Sequence, residues 1–176
     1  MKWIKESQEV FYPEKSRKLL TLSKQDTEYL QTVAQANVRN RSRICAHQTV
    51  RDDIHEMVIY HPKGTYVRPH KHMGKDESFH LISGEIDLVM FDESGNIVEV
   101  LQMGNYESGK TFYYRISANT FHAQIFRKDT IFHEVTKGPF DKRDTVAAHW
   151  APDEQEAISV ENYLTKIKKH INNINF

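Results

Sequence analysis

A lone cysteine, Cys45, rules out an intrachain disulfide and suits a reducing compartment. No run approaches the roughly 20 apolar residues needed to cross a bilayer. The opening Met1-Lys2-Trp3-Ile4-Lys5-Glu6 also lacks the apolar stretch of a signal peptide. Neither sign of charge is in excess, because 24 Lys plus Arg balance 24 Asp plus Glu. Such a surface has no net field to draw in nucleic acid or an anionic membrane. Internal repeats, low-complexity tracts and dividing linkers are missing as well. The 176 residues are therefore read as one cytoplasmic domain, long enough to bury a core. Histidine, by contrast, is abundant. Five of the ten are His47, His55, His61, His70 and His72, all in one short stretch.

Periodicity divides the chain into an N-terminal helical and strand extension over 1–40, a strand-rich body over 41–140 and a C-terminal segment with a helix over 141–176. Ser23 is placed to cap a helix, with Asp26 at its third position and Tyr29, Leu30, Val33 and Ala34 as its apolar face. After Pro152-Asp153, the steps Val160, Leu164, Ile167, Ile171 and Ile174 alternate four and three, the stripe of an amphipathic helix. Glu154 and Glu156 before it, and Lys166, Lys168 and Lys169 near its end, complement the helix dipole. Packing on its own domain is the first reading of that stripe, and a homodimer seam is the second.

The body follows period two. Glu85 to Phe91 puts Ile86, Leu88 and Met90 on one face and Asp87, Val89 and Phe91 on the other, before a turn through Asp92-Glu93-Ser94-Gly95-Asn96. Further strands are predicted at Met57–His61, Thr65–His72, Ser78–Ile82, Ile97–Leu101, Thr111–Ile116, His122–Phe126 and Thr130–Thr136. Many short strands punctuated by glycine indicate an antiparallel sandwich or barrel. On such a strand His70 and His72 project from the same face and can offer two imidazole nitrogens to one ion. Glu77 lies just past the Met73-Gly74-Lys75 turn, and His122 is the best-placed fourth ligand.

These residues carry a resemblance. Gly64, five residues, His70-x-His72, four residues, Glu77, six residues and Gly84 is similar to the first motif of the cupin superfamily. The second motif is reduced to its histidine, His122. Ser117 and Asn119 replace the usual Pro and Gly, and Phe126 stands at the usual Asn. Arg41-Ser-Arg43-Ile-Cys45-Ala-His47, Arg68-Pro69-His70, Gly138-Pro139-Phe140 and Trp150-Ala151-Pro152-Asp153-Glu154 resemble the WbuC family of cupin-fold metalloproteins. The resemblance implies a mainly β cupin fold, an antiparallel β-barrel or jelly roll with N- and C-terminal helices. It also implies a metal and a context of O-antigen or other surface-polysaccharide biosynthesis.

Three imidazoles and a carboxylate suit Mn, Fe, Co, Ni or Zn. Tetrahedral Zn would be saturated by them, whereas an octahedral ion would keep two positions for water, oxygen or substrate. Arg41, Arg43, Arg68 and Lys75 are candidates to hold an anionic sugar or sugar nucleotide, and Tyr114 to line the pocket. Cys45 is expected to be a small buried residue, and His47, His55, His80 and His133 ordinary polar ones. The leading expectation is a metal-dependent enzyme, of isomerase, epimerase or dioxygenase type. The alternatives are a non-catalytic sugar-binding or sensing protein and a metal that only stabilises the fold.

Overall fold

Alternation of apolar and polar residues decides most of the strands. The computed structural model describes residues 3–14 and 18–173. Its elements run β1 (Trp3–Lys5), β2 (Val10–Pro13), α1 (Lys24–Gln35), β3 (Ser42–Cys45), β4 (Ile54–His61), β5 (His70–His72), β6 (Glu77–Ser83) and β7 (Glu85–Phe91). They continue with β8 (Ile97–Gly104), β9 (Tyr113–Ile116), β10 (Phe121–Phe126), β11 (Thr130–Lys137), β12 (Thr145–Ala147) and α2 (Ala157–Asn172). A seven-stranded sheet has the order β1-β2-β3-β4-β11-β6-β9, and a five-stranded sheet the order β12-β5-β10-β7-β8. Pairing is antiparallel except between β2 and β3.

The two sheets remain separate ladders, with the isolated Met103–Thr111 bridge close to one shared edge. The expected barrel is thus an open sandwich. Inward residues of both sheets fill the space between them. Met57, Ile59, Phe79, Leu81, Ile86, Leu88, Phe126 and Phe132 form one buried cluster. The two faces predicted for β7 are both used, because Ile86 and Leu88 join that cluster while Val89 and Phe91 face α2. Asp87, on the α2 side, is tied to Arg127.

Of the predicted Thr65–His72 strand only His70–His72 forms. Pro69 has no N–H to give to a ladder, and Thr65 instead closes a turn on the Pro62 carbonyl. Gly84 and Asn119 are among the motif positions that adopt left-handed backbone conformations. Gly84 has φ +99°, and a Cβ there would lie 2.5 Å from the Asp129 carbonyl oxygen. Asn119, which replaces a glycine, adopts φ +66°, a conformation asparagine tolerates better than most residues.

Both helices follow their capping chemistry and apolar stripes. The Ser23 amide and hydroxyl donate to Asp26 Oδ2 at 2.7 and 2.8 Å, and Leu30 and Ala34 are fully buried against β3 and β4. Helix α2 starts at Ala157, later than the acidic pair would suggest. Glu154 precedes it and faces Arg39 and Arg41, and Glu156 is its N-cap residue. Leu164, Ile167 and Ile171 pack on the outer face of the five-stranded sheet of their own chain, and Ile174 lies outside the described residues. No helix is long and apolar enough to cross a membrane among the described residues.

This docking gives a testable contrast within one helix. Ile171 is 1% exposed and Ile158 is 79% exposed. Ile171→Ala should therefore cost about 2–4 kcal/mol in urea unfolding, through lost burial and a residual cavity. Ile158→Ala should stay within about 0.5 kcal/mol of the parent. Equal effects would show that the stripe does not hold α2 in place.

Candidate metal centre

Strand register, rather than sequence proximity, assembles the four expected ligands. His70 on β5 pairs directly with His122 on β10, and His72 follows on the same face of β5. These three imidazoles come from the five-stranded sheet. Glu77 comes from β6 of the seven-stranded sheet and meets them across the gap. One ligand atom from each of His70, His72, Glu77 and His122 lies within 4.8 Å of every other. Bonds of about 2.0–2.3 Å to one ion require separations of this order.

Tautomers are set by the backbone. Nδ1 of His70 donates to the Arg68 carbonyl at 2.9 Å, and Nδ1 of His122 donates to the Thr120 carbonyl at 3.0 Å. In both rings the Nε2 lone pair is left to face inward. The His122 Nε2 is buried without a hydrogen-bond partner, and at 3.8 Å from Glu77 Oε1 it is too far for one. His72 Nε2 lies 3.0 Å from Glu77 Oε2, and its Nδ1 is 3.3 Å from Thr145 Oγ1. Glu77 is held in turn: Tyr114 donates to Oε1 at 2.9 Å, and Gln124 Nε2 donates to the Tyr114 oxygen at 2.8 Å. An orphaned inward nitrogen, a buried carboxylate and oriented supporting groups are what a divalent cation needs. The residues fit the group.

Electrostatics agree with that fit. Burial works against charge on Glu77, but the His122 and His72 imidazoles outweigh it and hold the carboxyl well below its ordinary range. Burial, and then the charge on His122, push His70 down to about 4, so it is neutral and able to ligate near pH 7. His122 moves the other way. Burial disfavours its charge, yet Glu77 outweighs burial and raises its pKa.

His70, His72 and Glu77 line a cavity of about 530 Å³, walled also by Arg41, Arg43, Arg68, Lys75 and Glu134 among others. Tyr114 supports Glu77 from behind. Cys45 is 2% exposed, and burial pushes its thiol up to about 11, so it packs rather than reacts near neutral pH. His47 and His55 stack at 4.0 Å on the cavity wall, while His80 is exposed and His133 stands 3.9 Å from Glu56. Glu134 and Gln124 escaped the sequence reading. A signal existed, since Phe132-x-Glu134 and His122-x-Gln124 each put a polar side chain on an inward face.

Comparisons support the fold. A family model described as a domain of unknown function, DUF6016, matches residues 22–103. No curated protein matches the chain in sequence. Among solved structures, salicylate 1,2-dioxygenase from Pseudoaminobacter salicylatoxidans, a mutant in complex with gentisate, is 11% identical with TM-score 0.52 over 67% of this chain and 33% of that one. The capsular polysaccharide assembling protein CapF from Staphylococcus aureus is 20% identical with TM-score 0.50 over 63% of this chain and 30% of that one. The fold is cupin-like. The chain spans about a third of each of these two proteins.

His61 also lines the cavity. Its ring stands edge-on to Phe126 and Phe132 at 4.7 and 5.4 Å, and its Nδ1 is buried without a partner. Burial, followed by the charges on Arg43 and Arg39, pushes its pKa from 6.5 down to about 3. Between those values the unfolded chain binds a proton that the folded chain does not. Stability from this group is thus complete above pH 6.5 and is lost as pH falls toward 3, by up to about 5 kcal/mol in order of magnitude. His61→Phe, unfolded by urea in the presence of a chelator, should lose less stability between pH 6.5 and 4 than the parent. Parallel pH profiles would refute this role for His61.

Proposed function

We propose that this chain is a WbuC-type cupin metalloenzyme acting on a sugar or sugar nucleotide in surface-polysaccharide assembly. One divalent transition metal ion is held by His70, His72, Glu77 and His122. The observation that carries this reading is the pair of inward Nε2 lone pairs, each fixed by a backbone carbonyl and aimed at a buried carboxylate. The likeness to CapF supports a cupin-like scaffold for it.

Each group has a separate task. His70 and His122 bind through Nε2 in orientations their own strands set, and Tyr114 with Gln124 keeps the Glu77 carboxylate in place. A bound divalent ion supplies Lewis acidity toward a carbonyl or hydroxyl oxygen of the substrate. The basic wall draws an anionic substrate into the cavity, while Met57, Ile59, Val67 and Phe132 give it an apolar, water-poor side. The alternative, a sugar-binding protein without catalysis, uses the same cavity and differs only in turnover.

Metal content tests the site. Protein purified without a histidine tag should carry close to one equivalent of a transition metal, measured by elemental analysis. His70→Ala, His72→Ala and His122→Ala should each remove most of it, whereas stoichiometric metal in a His70→Ala/His72→Ala double variant would refute the site. Tyr114→Phe should keep the fold and weaken metal affinity by about 10–100-fold, because Glu77 loses its orienting donor.

The pH dependence has a defined sign. A raised pKa means that metal-free His122 keeps its proton more readily than a free imidazole, and that proton must leave before Nε2 can ligate. Affinity should consequently begin to fall while pH is still above 6.5, approaching tenfold per unit as pH drops further. Competition titration at several pH values checks it, and a flat profile would count against His122 as a ligand. Turnover of sugar nucleotides by the metal-loaded protein would then separate the enzyme from the binder.

A further inference from the structure

Most basic side chains around the cavity already have partners. Arg41 lies 3.5 Å from Glu9 and 3.2 Å from Glu154. Arg68 donates to the Ala148 carbonyl at 2.8 and 3.1 Å and to Asp153 at 3.2 Å. Lys75 reaches Asp144 at 2.7 Å and the Pro139 carbonyl at 2.6 Å. Arg43 differs. It sits on β3 opposite Ile59, lines the cavity, and its Nε is buried with no acceptor among the described residues. An unmatched buried donor is costly unless a ligand supplies the acceptor.

Glu134 is the complementary case. It lies opposite Met57 in one ladder of β11 and Phe79 in the other, with its carboxyl on the cavity wall. No donor meets that carboxyl among the described residues. Burial, and then the charge on Glu77, push it up to about 8. Because Glu77 pairs with Thr136, the two carboxylates are diagonal neighbours across the β6–β11 ladder. Their Cβ atoms are then about 7 Å apart, within reach of one ligand for long side chains, and Glu134 is not among the four residues whose ligand atoms converge.

We propose that Arg43 and Glu134 form a recognition pair for an anionic sugar. The guanidinium takes the carboxylate or phosphate through its planar fork, and Glu134 accepts a hydrogen bond from a neighbouring hydroxyl. A polyhydroxylated anion is the ligand class that needs both a fixed cation and a fixed acceptor in one cavity. The pairing rests on the metalloenzyme reading for the placement of the remainder of the ligand. It also divides labour among the four basic residues: Arg41, Arg68 and Lys75 brace the wall, and Arg43 contacts the anion.

Calorimetry on full-length protein, both metal-loaded and metal-free, tests it with glucuronate, glucose 1-phosphate and glucose. At least one anionic sugar should bind about tenfold or more tightly than glucose in both forms, and which one does so distinguishes carboxylate from phosphate. Arg43→Gln should reduce that preference below about threefold, and Arg43→Lys should keep part of it, since charge remains without the fork. Arg41→Gln should change it less than about threefold. Glu134→Leu should weaken glucose about tenfold while the anionic preference persists, because a hydrogen-bonding group is lost and the Arg43 charge remains. Metal content should be unchanged in every variant. Equal affinity of the parent for all three sugars, a preference that survives Arg43→Gln, or the same loss from Arg41→Gln would overturn the proposal. An Arg43-dependent preference in a protein that takes up no metal would overturn the metalloenzyme reading instead and leave the pair standing.

Discussion

A carboxylate at 3% exposure between two sheets is the constraint on which the site depends. Glu77 projects from β6 into a gap lined by three imidazoles of the facing sheet, and a charge so placed must be matched locally. The match requires β5 beside β10, so that His70 and His122 are adjacent, and β6 beside β9, so that Tyr114 reaches Glu77 from behind. A one-residue slip in any of these ladders would turn a ligand outward. The Gly84 conformation holds the bend between β6 and β7, and with it the lead from Glu77 into the second sheet.

Charge bookkeeping extends from there to the whole cavity. Glu77 and Glu134 face the same space as Arg43, whose buried Nε has no acceptor among the described residues. Burial, and then the charge on Glu77, raise Glu134 to about 8, so near pH 7 it is mostly protonated and does not cancel the Arg43 charge. A divalent cation on the histidine cluster would add positive charge near Arg43 and favour an anionic ligand further. Metal and anionic ligand are therefore coupled through the field of the cavity even without touching.

The legible parts of the sequence were those with local causes. Alternation gave β7 its bounds, Ser23 and Asp26 gave α1 its start, and the stripe through Leu164, Ile167 and Ile171 gave α2 its buried face. The His70-x-His72 spacing likewise encodes a shared strand face. What stayed hidden depends on distant partners. Nothing near Arg41 in sequence announces Glu154, and nothing near Glu77 announces that Gln124 fixes Tyr114. The short parallel pairing of β2 with β3 joins segments separated by α1, and the open edge between the sheets is a matter of topology rather than pattern.

The two kinds of information meet in the histidines. His70 and His122 are each aimed by the carbonyl two residues earlier, Arg68 and Thr120 respectively, so their orientation is written into their own strands. Pro69 reinforces this for His70, because a residue before proline is held extended and the Arg68 carbonyl can hardly turn away. His72 is supported differently. Its Nδ1 faces Thr145 of β12, a three-residue edge strand whose residues are all exposed. Two ligands are thus fixed by local backbone and the third by a segment at the cavity mouth that has little burial to anchor it. His72 is therefore the ligand whose ring orientation depends on the least buried strand of the site, whereas His70 and His122 are oriented from within their own strands.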